Sequence, residues 1–347
     1  MRLRAQLLTD RSGRDPLEVV GRITAVQAQD ARGSLLAVRA RSTGLRAADV
    51  DRCLTQERSL VVDWLNRGTL HLVRSEDHPW LHALTAPRLA TANARRLSQE
   101  GVDAAMAERG VAVVERELST HGPRTREQLR DALDSAGVRT AGQALVHVLG
   151  ATSMNGVCVR GPVVGRERAF VHARDWLGPA PAVDRDRALG ELARRYLVGH
   201  GPATDRDLAT WSGLPLREVR TGLLLAGATP VHDGSDHLVV GPAPSDEVGL
   251  PRPTLLGMFD PVLHGWASRH VLLGRHDSTN VVTSNGMFRA TALVDGRAVA
   301  TWNLVGGSVS IVALPGEAID ATAAAALDAD ARDVLRYLSG EPEPDAE

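Results

Sequence analysis

Apolar residues recur at helical spacing near the start of the chain: Leu17, Val20, Ile23 and Val26 predict a helix over residues 17–27. A second helical pattern, at 47–56, is followed by two β-like runs, 60–65 and 69–73, around the turn Asn66-Arg67-Gly68, and a helix from about 75 to 96. The middle of the chain carries an internal repeat. His121-Gly122-Pro123-Arg124-Thr125 recurs as His200-Gly201-Pro202-Ala203-Thr204, and in both copies the turn leads to a threonine placed to cap a helix. Gln128 completes a capping box with Thr125, and Asp207 a weaker one with Thr204. Each copy follows a helical stretch (111–119; 188–198) and precedes another (142–149; 216–225). Each then runs into short β segments, 157–160 with 169–172 and 229–232 with 237–240, where Pro230 limits the strand to an edge. Three short helices and a two-stranded wing describe a winged helix. The N-terminal stretch reads the same way without the His-Gly-Pro mark, which makes three units in tandem.

After Pro251-Arg252-Pro253 the texture changes. Turns at Asn285-Gly286, Asp295-Gly296 and Gly306-Gly307 separate β-rich runs at 287–294, 297–305 and 308–314. These predict an antiparallel meander, closed as a small barrel or packed on a helix that residues 318–338 could supply. The expected class is α+β. Its parts are winged-helix units at 1–110, 111–180 and 181–245, a C-terminal β-barrel with helix at 252–338, and a disordered acidic tail at 339–347.

Composition narrows the chemistry. At 347 residues the chain exceeds the ~250–300 at which single cores stop growing. A net charge of −2 requires any nucleic-acid face to be local. No apolar run approaches the ~18 residues of a membrane span and the first ten residues lack a signal-peptide core, so a soluble, cytoplasmic protein is expected. Cys53 and Cys158, without a Cys-x-x-Cys, disfavour a disulfide or cysteine zinc site and read as small buried hydrophobes. All 40 basic residues are arginine, so a Schiff base could use only the α-amino group.

The helices before the wings are poor base readers. Residues 47–56 carry two aspartates, 142–149 offer only Gln143 and His147 as polar side chains, and 216–225 only Arg217 and Arg220 as cations. The units therefore read as a scaffold gripping duplex through arginines and backbone amides. Gln27-Ala28-Gln29-Asp30 closes the first apolar run. On a regular helix two residues span ~200°, so the glutamines converge only if the helix ends near Gln27. The bland alternative is a polar helix end with Asp30 capping the next helix. His232-Asp233, Asp236-His237 and His276-Asp277 lack helical ligand spacing, and the first two sit on a predicted solvated turn. His71 reads as a hydrogen-bonded strand residue. No nucleotide-binding loop is present, and neither cofactor nor metal is expected. Arg252, Arg269, Arg275, Arg289 and Arg297, interleaved with His264, His270 and His276, form either a solvated face or a set of cations for a phosphate backbone.

Ile23-Thr24-Ala25-Val26-Gln27-Ala28-Gln29-Asp30, together with Arg67-Gly68-Thr69-Leu70-His71-Leu72, resembles the AlkZ/YcaQ-type winged-helix DNA glycosylases. The two His-Gly-Pro-x-Thr units and Phe259-Asp260-Pro261-Val262-Leu263 fit the same family, over roughly residues 3–335. The resemblance implies tandem winged helices and a β-barrel in a C-shaped molecule that embraces DNA. It also implies excision of N7-alkylated purines, often for self-resistance to DNA-alkylating antibiotics and in some members with unhooking of interstrand crosslinks. A barrel hairpin that probes the groove would map to 264–285 or 287–305. Gln27 and Gln29 match the Gln-apolar-Gln signature of the AlkZ branch, with Gln29 expected to position water and Gln27 to orient it or support the sugar. The implied protein is a monofunctional glycosylase, monomeric, nucleoid-associated and without cofactor. Its partner is duplex DNA, contacted through Arg67, Arg269, His270, Arg275, Arg289 and Arg297. Two other classes stand against it: a winged-helix regulator without enzymatic activity, and a scaffold for protein contacts.

Overall fold

The structure, a computed structural model, describes residues 1–13, 15–165, 167–241, 250–274, 276 and 278–339. The chain divides into two compact units: Arg52–Ala188, and Met1–Asp51 with Leu189–Glu347.

In the Arg52–Ala188 unit, strands Leu60–Leu65 and Thr69–Arg74 form a hairpin that closes at Leu65↔Thr69. Its turn suits the residues present, because Asn66 and Gly68 both take positive φ, at 51° and 87°. Helices Ala104–His121, Arg126–Ser135 and Ala144–Met154 then precede strands Cys158–Val164 and Glu167–His172. The capping box predicted at Thr125 is formed: its hydroxyl accepts the Gln128 amide at 3.2 Å while Gln128 Oε1 accepts the Thr125 amide at 2.9 Å. Leu118, Leu129, Leu133, Leu145, Val148 and Phe170 close the core over these helices. The two hairpins also join. Leu60–Leu65 pairs antiparallel with Cys158–Val164 at Val62↔Arg160, so both belong to one sheet. Local periodicity cannot register that pairing, because its partners lie far apart in sequence.

In the other unit the meander predicted after Pro253 is present, with strands Thr291–Val294, Arg297–Val305 and Ser308–Ala313. A fourth strand, Thr254–Leu256, extends it on the Thr291–Val294 side. The expected barrel does not form: among the described residues the sheet is open, with Thr254–Leu256 and Ser308–Ala313 at its two edges. Four strands are too few to enclose a packed interior. Helix Ala321–Ser339 buries the apolar side instead, setting Leu327, Val334 and Tyr337 against Leu255, Ala292, Ala300 and Trp302. No described helix is long and apolar enough to cross a membrane.

Candidate active site

The helix that leads to the glutamines is Pro16–Ile23, four residues shorter at its end than the apolar run predicts. Its start follows local rules, with Asp15 accepting the Glu18 amide at 2.7 Å and Pro16 in the first turn. Its end does not. Thr24 takes φ 72° and ψ −49°, a conformation costly for a β-branched residue, and turns the chain out of the helix. Val26–Gln27 is then extended, and helix Ala31–Arg39 begins behind Asp30, whose carboxylate accepts the Gly33 amide at 2.6 Å. The bland role foreseen for Asp30 is thus real, and it coexists with a non-helical Gln27-Ala28-Gln29. Gln27 ends an extended pair and Gln29 lies in a bend, so the rotation of a regular helix that would set the glutamines apart does not apply.

The two carboxamides differ in environment. Gln29 is exposed, whereas Gln27 is buried at 4% exposure between Ala25, Val26 and Ala28. The Gln27 carbonyl oxygen is enclosed and has no hydrogen-bond donor. Leaving such an acceptor unsatisfied costs about 1–3 kcal/mol.

Buried ion pairs anchor the end of helix Ala31–Arg39. Arg41 donates from Nη1 and Nη2 to the two oxygens of Asp260, both at 2.8 Å, with both side chains fully buried. Nη1 also donates to Ala37 O and Nη2 to Gln6 Oε1, while Nε is buried without an acceptor. Asp260 also accepts the Val262 amide, which gives the Phe259-Asp260-Pro261 motif a structural role. Arg39 donates to Asp330 at 2.9 Å, Asp333 at 3.0 Å and Leu255 O at 2.7 Å. Burial would raise the Asp330 carboxyl, but Arg39, Arg11 and the Leu255 amide outweigh it and hold it at about 2. These arginines were counted in the sequence only as cations. The signal that could have found them is the pair Arg39 and Arg41 at the end of an apolar helix.

The arginines expected at DNA have diverse settings. Arg67 is exposed at the hairpin turn of its unit, and His270 and Arg289 are exposed on the other. Arg297 is exposed beside a cavity of about 480 Å3 whose rim includes His276, Asp295, Glu317 and Asp320. Arg269 is half-buried: Nε donates to Leu263 O at 2.6 Å, its guanidinium lies 5.0 Å from the Phe288 ring, and desolvation lowers its pKa. Arg275 and Asp277 lie outside the described residues. His276 pairs with Glu317 at 2.8 Å, and His232 and His237 sit on the turn after Thr229–Pro230, His237 beside Asp236 at 2.9 Å. His71 is buried with Nδ1 at 2.9 Å from Thr69 O, as a strand residue. Both cysteines are free and buried, and desolvation raises both thiols, Cys53 to about 11. Trp211, Trp266 and Trp302 are buried, while Trp64, Trp80 and Trp176 are half-buried.

The sequence profile described as DNA glycosylase AlkZ-like matches residues 20–337. An interstrand DNA cross-link repair glycosylase of Streptomyces sahachiroi is 26% identical over 345 residues, covering 90% of this chain and 89% of the relative. The solved structure of Streptomyces sahachiroi DNA glycosylase AlkZ superposes with a TM-score of 0.79 at 23% identity, over 97% of this chain and 94% of the other.

The fold is therefore that of a mixed α and β glycosylase with open antiparallel sheets. The chain belongs to the AlkZ-like DNA glycosylase family, and its substrate is DNA.

Proposed function

We propose that this DNA glycosylase hydrolyses the N-glycosidic bond of N7-alkylated purines, bulky and interstrand-crosslinking adducts included, with Gln27 and Gln29 at the reacting bond. An N7-alkylguanine is cationic, so its base departs without strong acid assistance. What remains is to stabilise an oxocarbenium-like sugar and to place a water behind it. A carboxamide oxygen can accept a hydrogen bond from that water and lay partial negative charge near the cation. Exposed Gln29 positions the water, and Gln27 orients it or supports the sugar. The observation that carries the reading is the Gln27 carbonyl, held outside any helix with no protein donor, two residues from an open Gln29.

The relative named for cross-link repair supports extending the substrate range to crosslinks, and with it a role in self-resistance to an alkylating natural product. The three-helix-and-hairpin segments act as winged helices that grip duplex by its phosphates, with exposed Arg67, His270, Arg289 and Arg297 and half-buried Arg269 as contacts. The enzyme acts as a nucleoid-associated monomer and needs no cofactor. Having no lysine, it is monofunctional and leaves an abasic site, so borohydride traps no covalent adduct.

The test is incubation with duplex containing 7-methylguanine followed by hot alkali. Strand cleavage at the lesion is expected, reduced about a hundredfold in Gln27→Ala or Gln29→Ala with DNA binding retained. Undiminished cleavage in both variants overturns the assignment. Selective retention of one intact sequence without cleavage marks a regulator instead.

A further inference from the structure

The segment that carries the glutamines is bounded by backbone contacts that only glycine permits. At its entry, Gly199 lies against the end of helix Pro16–Ile23: a Cβ there would stand 2.1 Å from the Arg22 carbonyl oxygen and 3.5 Å from Ile23 Cα. At its exit, a Cβ on Gly33 would stand 2.2 Å from the Met258 carbonyl oxygen. The neighbouring Gly257 is less crowded, its own Cβ position 2.9 Å from Leu36 Cβ and 3.0 Å from Gly33 Cα. Between these contacts stands Thr24 in its costly conformation, worth about 1–3 kcal/mol, with its hydroxyl buried and unpartnered. Such a conformation persists only where the surroundings over-determine it. The Asp30 carboxylate on the Gly33 amide completes the exit side.

We propose that Gly199, Gly33 and Asp30 are positioning residues that clamp residues 24–30 from both ends and so set where Gln27 and Gln29 stand relative to the scissile bond. A methyl group at either glycine meets main-chain oxygen, which has no rotamer by which to yield. The backbone must move by about 1 Å, and a displacement of that size at a reacting group costs on the order of a hundredfold in rate. The inference rests on the role given to the two glutamines.

The experiment measures single-turnover excision of 7-methylguanine under saturating enzyme, alongside the Kd for lesion duplex and the Tm of the full chain. Gly199→Ala and Gly33→Ala are expected to lose about 10- to 100-fold in rate with Kd little changed. Gly222→Ala is the control: Gly222 lies in helix Leu216–Leu225, and its Cβ would meet Leu189 O at 2.5 Å, near the start of helix Arg185–His200 and ten residues before Gly199. It should lower Tm and leave the rate alone. Should a glycine variant fail to fold, Asp30→Ala loosens the same segment through a single cap. It is expected to slow excision, with Asp30→Asn restoring it, because the amide oxygen caps as well as the carboxylate. Glycine variants no slower than Gly222→Ala, or an Asp30→Ala enzyme at wild-type rate, overturn the clamp while leaving the glutamine assignment intact. Wild-type rates in Gln27→Ala and Gln29→Ala overturn that assignment and the clamp with it.

Discussion

The two His-Gly-Pro turns share a sequence and differ in what surrounds them. His121 ends helix Ala104–His121 with its side chain 48% exposed, and a Cβ on Gly122 would meet nothing within 4 Å. His200 ends helix Arg185–His200 fully buried, its ring 4.6 Å from Tyr196, 5.3 Å from Trp211 and 5.7 Å from Trp266. Neither nitrogen of that ring has a partner, and burial lowers its pKa to about 3. Both turns lead into complete capping boxes. The repeated tripeptide thus specifies a helix exit and the cap that follows. Whether its histidine is a surface group or a core group is decided by distant residues.

Three measurements test this contrast. The largest expected effect is on stability: His200→Ala should cost about 3 kcal/mol by opening a cavity among three aromatic rings, whereas His121→Ala should stay within about 0.5 kcal/mol. Denaturant unfolding followed by tryptophan fluorescence reads both, and similar losses would erase the distinction.

Next comes pH. The folded protein keeps His200 neutral down to about 3, while the unfolded chain protonates it near the ordinary 6.5. Below 6.5 the unfolded state binds a proton that the folded state refuses, so stability falls as pH drops, by about 2 kcal/mol at pH 5. Asp330, depressed to about 2 from 3.8, contributes stability that is intact above about pH 4 and lost only below it, so the change between pH 6.5 and 5 is free of its titration. The slope between pH 6.5 and 5 should survive His121→Ala and flatten in any folded variant that lacks His200.

The smallest effect concerns the caps. Asp207 is buried and also accepts the Ala267 amide at 2.9 Å and Arg2 Nη2 at 3.3 Å, whereas Gln128 is exposed and serves its own cap. Asp207→Ala should therefore cost about 1–2 kcal/mol and Gln128→Ala about 0.5 kcal/mol, read from the same unfolding curves.

Features with a local cause were legible in the sequence. The caps at Thr125, Thr204 and Asp30, the hairpin at Asn66-Arg67-Gly68 and the three-strand meander all follow from a few adjacent residues. What escaped was set from afar. The apolar run continues to Val26, yet the helix stops at Ile23 because Thr24 is held in a conformation its own side chain disfavours. Of the two arrangements foreseen for the meander, closure as a barrel is absent among the described residues and packing on the C-terminal helix is the one formed, by Ala321–Ser339. Strand Thr254–Leu256 is too short to show a period. At the candidate site, the pair of glutamines could be named from sequence but their unequal burial could not. Nothing local marks Arg39 and Arg41 as buried, because Asp260, Asp330 and Asp333, which pair with them, lie more than 200 residues away.

The unit that contains Gln27 is assembled from two stretches far apart in sequence, Met1–Asp51 and Leu189–Glu347, with Leu36 sharing a core with Leu327 and Arg39 paired to Asp330. The buried cluster that includes Leu97, Leu118, Leu133 and Phe170 is drawn wholly from within Arg52–Ala188, whereas helix Ala31–Arg39 depends on a helix almost 300 residues further along the chain. A fragment that stopped short of helix Ala321–Ser339 would carry both glutamines of the proposed site but lack Leu327 and Asp330, against which helix Ala31–Arg39 is seated.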